Sequence, residues 1–153
     1  MADNAQRLTE TLRKFKKIGL DTQPFIYHFQ ANRKYVELTR AIFEAVEAGA
    51  VTASTSTITL LEILVKPIRD NDTTASQEYL FVLKTFPNLK LKPVDDGVAQ
   101  RAAEITAKYN LRPPNAIQLA SCLEEGAQAF FTNDRRLKVV REVEVHLLRD
   151  YTH

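Results

Sequence analysis

The sequence predicts an α/β fold with a central parallel sheet and helices on both of its faces. Two observations carry that expectation: short apolar runs alternate with stretches of helical periodicity along the whole chain, and helix-starting or helix-stopping residues fall at the boundaries between them. A third bounds the size. With 153 residues and 44% hydrophobic content, the chain suffices for one packed core and is read as a single domain over 1–153.

The elements follow in order. Residues 5–16 have the pattern of a short amphipathic helix, an N-terminal extension to a core spanning about 17–149. "KKIGLD" is a brief apolar run ending on Asp21, and Pro24 just beyond it suits a helix start. From Arg33 to Ala48, Val36, Thr39, Phe43 and Val46 recur at helical spacing, and Gly49 stops the helix. "AVTAS" reads as a strand. "STITLLEILVKP" reads as a helix capped by Ser56 or Thr57 and closed by Pro67, with strand as the competing assignment because Thr and Ile are frequent. After the polar loop "RDNDTTAS", residues 75–86 are helical in pattern, "LKLKPV" alternates like a strand, and Asp95 or Asp96 opens a helix through Tyr109. "LRPPNAIQLA" starts a further helix that reaches Glu125 before Gly126. "QAFFTND" is then a strand, "RRLKVV" a short helix and "VEVHLL" the last strand.

Composition excludes several functions. The 21 Lys and Arg against 19 Asp and Glu leave a net charge of +2, so bulk charge does not announce a polyanion binder. A single cysteine, Cys122, rules out an internal disulfide and a cysteine-built zinc site, and its apolar surroundings suit a small buried hydrophobe. No apolar stretch approaches the roughly 20 residues of a membrane span and the N-terminus lacks an apolar signal core, so a cytoplasmic protein with no membrane partner is expected. Four glycines supply neither a Walker loop nor a G-x-G-x-x-G turn. Asp21 is followed by Thr22 and Gln23 and lacks the second Asp of a haloacid-dehalogenase-like phosphatase. His28, His146 and His153 are scattered, and Ser121 and Cys122 lack a base, so histidine and nucleophile chemistry are set aside.

In open parallel sheets ligands collect beyond the carboxyl ends of the strands. Asp21 follows the first strand, Thr132, Asn133 and Asp134 follow the fourth, and Asn115 begins the helix before it. Glu62 lies inside "ITLLEILV", shares a helix face with Ile58 and Val65, and is expected to point inward. A buried carboxylate needs an ion pair, a local exit to water, or a metal. If Asp21, Glu62 and Asp134 meet, their repulsion calls for a proton or a cation, and oxygen ligands without His or Cys select Mg²⁺ or Mn²⁺. Such a site suits phosphodiester hydrolysis. Thr22, Thr132 and Asn133 are the polar residues that adjoin these acids in sequence. Lys66, Arg69, Arg112, Arg135 and Arg136 flank the acids in sequence and are candidates for contacts to phosphates on either side of a scissile bond. Tyr27 and Phe29 are assigned to the core.

"IGLDTQPFIYHF", "TASTSTITLLEILVKP" and "LRPPNAIQLASCLEEGAQAFFTNDRRL", in that order across about residues 17–149, closely resemble the PIN domain and, within it, the VapC-type ribonuclease toxins of toxin–antitoxin pairs. The resemblance implies a three-layer α/β/α sandwich and a Mg²⁺- or Mn²⁺-dependent endoribonuclease. Asp21, Glu62 and Asp134 stand where the family has acidic ligands, and Thr132 where it has a supporting hydroxyl. Asn115 stands where the family's motif has Asp, which withdraws one negative charge from a site of four catalytic and metal-ligand positions: Asp21, Glu62, Asn115 and Asp134. The implied substrate is structured RNA such as transfer RNA, the implied partner a small cognate antitoxin, and many relatives form homodimers. The alternative, motivated by the same Asn115, is a non-catalytic PIN-like module that binds RNA or an antitoxin.

Overall fold

The computed structural model describes residues 2–152. Strands β1 (Lys17–Leu20), β2 (Thr52–Ser56), β3 (Leu89–Lys92), β4 (Ala129–Thr132) and β5 (Glu144–Leu147) form one sheet in the order β3-β2-β1-β4-β5, with every neighbouring pair parallel. The chain builds outward from β1 to β3 and then returns to the other side of β1. That reversal places a crevice between β1 and β4, where Leu20 lies opposite Phe131.

Because strand side chains alternate between faces, each strand feeds two cores. On one face Ile18, Leu20, Ala53, Ala129 and Phe131 join Leu8 and Leu12 of helix α1 (Ala2–Leu12), Phe25 of α2 (Thr22–Phe29), and Leu38, Ile42 and Val46 of α3 (Val36–Glu47). On the other, Phe130, Val145 and Leu147 meet Val98, Ala102 and Ile105 of α6 (Asp96–Tyr109) and Leu119 and Cys122 of α7 (Pro113–Glu124). The result is a three-layer α/β/α sandwich. Gly19 marks a close approach of helix to sheet: a Cβ there would stand 2.6 Å from Cys122 Cβ and 2.7 Å from its Sγ. Only a residue without a side chain lets α7 lie this close to β1.

Several boundaries differ from expectation, each for a local reason. The first helix begins at Ala2 and ends at Leu12, short of residue 16, because the Gln128 side-chain oxygen accepts the Lys16 and Lys17 N–H groups at 2.7 and 3.1 Å and draws the chain into β1. Asn32 Oδ1 accepts from the N–H groups of Lys34 and Tyr35, holding Arg33 and its neighbours in a turn until Val36. "STITLLEILVKP" is helix α4 (Thr57–Arg69), capped by the Ser56 hydroxyl on Ile58 N–H, and it runs two residues beyond Pro67. Proline's φ is itself helical, and in the last turn its missing N–H forfeits one bond while its ring is buried. Helix α5 (Thr73–Thr85) starts earlier than residue 75 because Asp72 caps it on Ala75 N–H at 3.0 Å. "RRLKVV" forms a 3₁₀ turn over Arg135–Val139. Among the described residues no helix is long and apolar enough to cross a membrane.

Candidate active site

Asp21 closes β1 and opens α2. Its backbone N–H still bonds to Phe131 O across the sheet at 3.0 Å, while its carboxylate takes up the capping role, Oδ1 accepting from Thr22 N–H at 2.8 Å. Oδ2 accepts from the Thr132 hydroxyl at 2.6 Å. The residue is only 5% exposed. Burial pushes its carboxyl up to about 6 despite the two hydrogen bonds that favour the anion, and the nearby Glu62 and Asp134 charges push in the same direction.

Thr132 ends β4, and its hydroxyl oxygen also accepts from Asp134 N–H at 3.1 Å, linking the two acids. The Asp134 carboxylate is fully engaged by donors: Oδ1 accepts from Arg136 N–H and Nε, both at 3.0 Å, and Oδ2 from Arg136 Nη2 at 2.8 Å and Asn115 Nδ2 at 3.4 Å. The Arg136 guanidinium beside it holds this carboxyl below the usual carboxylate range. Asn133, grouped with these residues by sequence, turns away. Its amide donates to Tyr27 OH and its oxygen accepts from Arg149, so it fastens the strand end to the rest of the fold.

Glu62 does not point into the core. The inward residues of α4 are Thr59, Ile63 and Pro67, and Glu62 lies exposed on the flank. The expectation failed because α4 is apolar on its outer side as well, with Leu61, Val65 and Ile68 exposed, so apolar neighbours did not mark an interior face. Glu62 nonetheless meets the site, since Thr22 donates its hydroxyl to Glu62 Oε1 at 2.6 Å.

Asn115 sits in the first turn of α7. Pro113 and Pro114 occupy that turn without N–H groups, so the helix starts from Arg112 with no side-chain cap and few orphan donors. Asn115 therefore has its amide free for Asp134. One turn further in, Gln118 is 1% exposed and was missed by the sequence reading. Its Oε1 accepts from Ser56 N–H at 2.9 Å, and its Nε2 donates to Thr59 Oγ1 at 2.7 Å and Thr22 Oγ1 at 3.2 Å. Thr55, also fully buried, donates to Leu20 O at 2.7 Å and stands 2.6 Å from Thr59 Oγ1.

The candidate phosphate-binding residues are spread around this edge. Lys66 lines a groove with Glu62, Ile26, Phe29 and Tyr79 between α2 and the α4–α5 pair. Arg112 and Arg135 are exposed, while Arg136 is committed to Asp134. Tyr27 stacks on Tyr35 and Phe29 on Tyr79. His28 bonds to Thr39, and His146 stacks on Phe131; His153 lies outside the described residues. Burial pushes the Cys122 thiol up to about 12.

The donor types suit a hard divalent ion: three carboxylates and an amide oxygen, with no sulfur or imidazole among them. A buried Asp21 held near two other acids is also what a cation would relieve. The present side-chain positions do not form a cage. Among the described residues no group of three or more His, Cys, Asp or Glu side chains stands together so as to hold a metal ion, since Asp134 faces Arg136 and Asn115 offers it nitrogen.

A parallel sheet whose strand order reverses where Thr132 joins Asp21 to Asp134 defines a class of α/β protein with a polar site at the switch point. The PIN domain model matches residues 18–143, and the chain belongs to the PIN-domain family. A toxin–antitoxin complex from Klebsiella pneumoniae is similar in structure at a TM-score of 0.63 and 20% identity, covering 82% of this chain and 94% of that one. VapBC2 from Rickettsia felis, bound to a DNA fragment from the promoter, gives 0.67 and 13%, covering 86% and 98%. DNA-bound VapBC from Salmonella typhimurium gives 0.62 and 18%, covering 88% and 98%. No curated protein sequence matches the chain.

Proposed function

We propose that this protein is a divalent-metal-dependent endoribonuclease of the VapC toxin type, acting on structured RNA such as transfer RNA and neutralised by a small cognate antitoxin. One observation carries the reading: at the β1–β4 switch point of a PIN fold, Thr132 bridges Asp21 to Asp134 and Thr22 bridges Asp21 to Glu62, so two threonines tie the three acids to one edge of the sheet. The toxin–antitoxin complexes among its structural neighbours support the partner.

Asp21, Glu62, Asp134 and the amide oxygen of Asn115 are the residues that would hold Mg²⁺ or Mn²⁺. When bound, such an ion supplies charge that polarises a phosphoryl oxygen and acidifies water. The chain's own residues do the rest. Thr132 and Thr22 N–H orient Asp21, and the exposed Arg136 guanidinium can turn from Asp134 to a substrate phosphate while the Arg136 backbone N–H stays on the acid. Lys66, Arg112 and Arg135 flank the same edge and supply further phosphate contacts. Homodimerisation is part of the same proposal.

A second reading, a non-catalytic module for RNA or antitoxin, is favoured by one observation: Arg136 and Asn115 together occupy both oxygens of Asp134. Incubating total RNA with the protein and with its Asn115→Asp variant, in Mn²⁺ or Mg²⁺, separates the two. Cleavage by either supports the nuclease. Intact RNA with both, under conditions where the metal binds, refutes it.

A further inference from the structure

The orientation of the Gln118 amide is set by its surroundings. Ser56 N–H is a donor only, so it must face Oε1; the reversed amide would bring two donors together at 2.9 Å. Nε2 therefore faces Thr22 and Thr59 and donates to both hydroxyl oxygens. Thr22 Oγ1 receives this bond, and its single proton is directed outward to Glu62 Oε1 at 2.6 Å, the short length of a charge-assisted bond. The neighbouring hydroxyls fit the same direction. Thr55 spends its proton on Leu20 O, so Thr59 donates to Thr55 and leaves its lone pair for Gln118. A continuous chain of donors thus runs from a backbone N–H at the end of β2, through a buried amide of α7, to the carboxylate on the flank of α4.

We infer that Gln118 is a positioning residue that fixes Glu62 toward the site through Thr22, an inference that rests on the nuclease reading for its effect on activity but not for its geometry. Glu62 is exposed, and among the described residues Thr22 is the only polar partner it has. Without that hydroxyl the side chain is free to rotate into solvent. The buried amide at the other end of the chain holds the hydroxyl in the donating rotamer, and hydrogen-bonded chains of this kind strengthen when their dipoles align. Gln118 also joins α7, which carries Asn115, to α4, which carries Glu62. It sets the distance between the two sides of the site.

The test compares Gln118→Leu, Thr22→Val, Thr22→Ser and the Gln118→Leu/Thr22→Val double variant. Crystal structures locate the Glu62 carboxylate, calorimetric titration with Mn²⁺ gives the affinity, and thermal denaturation reports folding. Gln118→Leu, which removes the amide, and Thr22→Val, which removes the hydroxyl, are each expected to release Glu62 by about 1 Å or more, a displacement beyond the tolerance of a working site. Each is expected to weaken Mn²⁺ binding at least tenfold, the usual effect of removing a group that orients a ligand. The double variant should be no weaker than the weaker single, and Thr22→Ser should retain the position and the affinity. A folded Gln118→Leu protein with a lowered Tm, but with Glu62 in place and Mn²⁺ affinity unchanged, overturns the inference and leaves Gln118 a purely structural amide. If the unsubstituted protein binds no Mn²⁺, the metal-dependent reading fails instead, and the crystallographic position of Glu62 in the two variants alone decides for or against positioning.

Discussion

Asn115→Asp is the substitution with the most to say about this site. Asn115 Nδ2 now lies 3.4 Å from Asp134 Oδ2, a donor facing an acceptor. A carboxylate in its place puts two negative charges at that separation, where an effective dielectric of about 20 gives a repulsion of about 5 kcal/mol before solvent screening. The partial exposure of Asp134 and its pairing with Arg136 reduce the sum, leaving about 2–4 kcal/mol for an added cation to relieve. At about 1.4 kcal/mol per decade, Mn²⁺ affinity rises by about 30- to 1000-fold. Calorimetric titration at neutral pH measures it directly, and the variant's Tm should climb with Mn²⁺ far more steeply than that of the parent protein. Asn115→Ala, which removes the amide without adding charge, should not reproduce the gain. An affinity for Asn115→Asp within about threefold of the parent, a difference below about 1 kcal/mol, would refute the idea that these four positions share one ion.

Other consequences are as direct. Asp21 has its folded pKa raised from 3.8 to about 6, so its contribution to stability is fully present below about pH 4 and is lost as pH rises through about 6. The metal-free protein should lose up to about 3 kcal/mol between those limits, and Asp21→Asn should flatten that part of a pH series of urea denaturations. Asp134, Asp95 and Glu142, whose folded pKa values are lowered, act oppositely, and their contribution disappears as pH falls below the usual carboxylate range. Gly19→Ala forces a methyl to within 2.6 Å of Cys122 Cβ and should cost about 1–3 kcal/mol in chemical denaturation, with Cys122→Ala removing only the 2.7 Å conflict with Sγ. Cys122, 1% exposed with its thiol pushed up to about 12, should resist thiol reagents in the native protein and react only on unfolding.

The order of strands and helices was legible because β1 and β4 are short apolar runs closed by polar residues, at Leu20–Asp21 and Thr132–Asp134, and β3 alternates Leu with Lys. Those closures also place Asp21 and Asp134 at one edge without any knowledge of packing. Glu62 shows where such reasoning stops. Its helix is apolar on two sides, and which side is inward depends on α5 and α2, which periodicity within α4 does not encode. Gln118 was hidden differently: it stands within an apolar run, and its partners Ser56, Thr59 and Thr22 lie 62, 59 and 96 residues away. Arg136 is only two residues from Asp134, yet its fork on that carboxylate depends on the 3₁₀ geometry of a segment that periodicity marks only as a short helix.

The return of the chain to β4 has a consequence for how the protein is made. Asp21 is made 111 residues before Thr132, whose hydroxyl orients it, and β4 must pair with β1 for the two to meet. At about 5–20 residues per second, roughly 5–20 s pass between the synthesis of the acid and that of the hydroxyl that orients it. A chain still held on the ribosome before β4 is made carries Asp21, Glu62 and Asn115 but neither Thr132 nor Asp134, so the site takes shape only once β4 has joined the sheet.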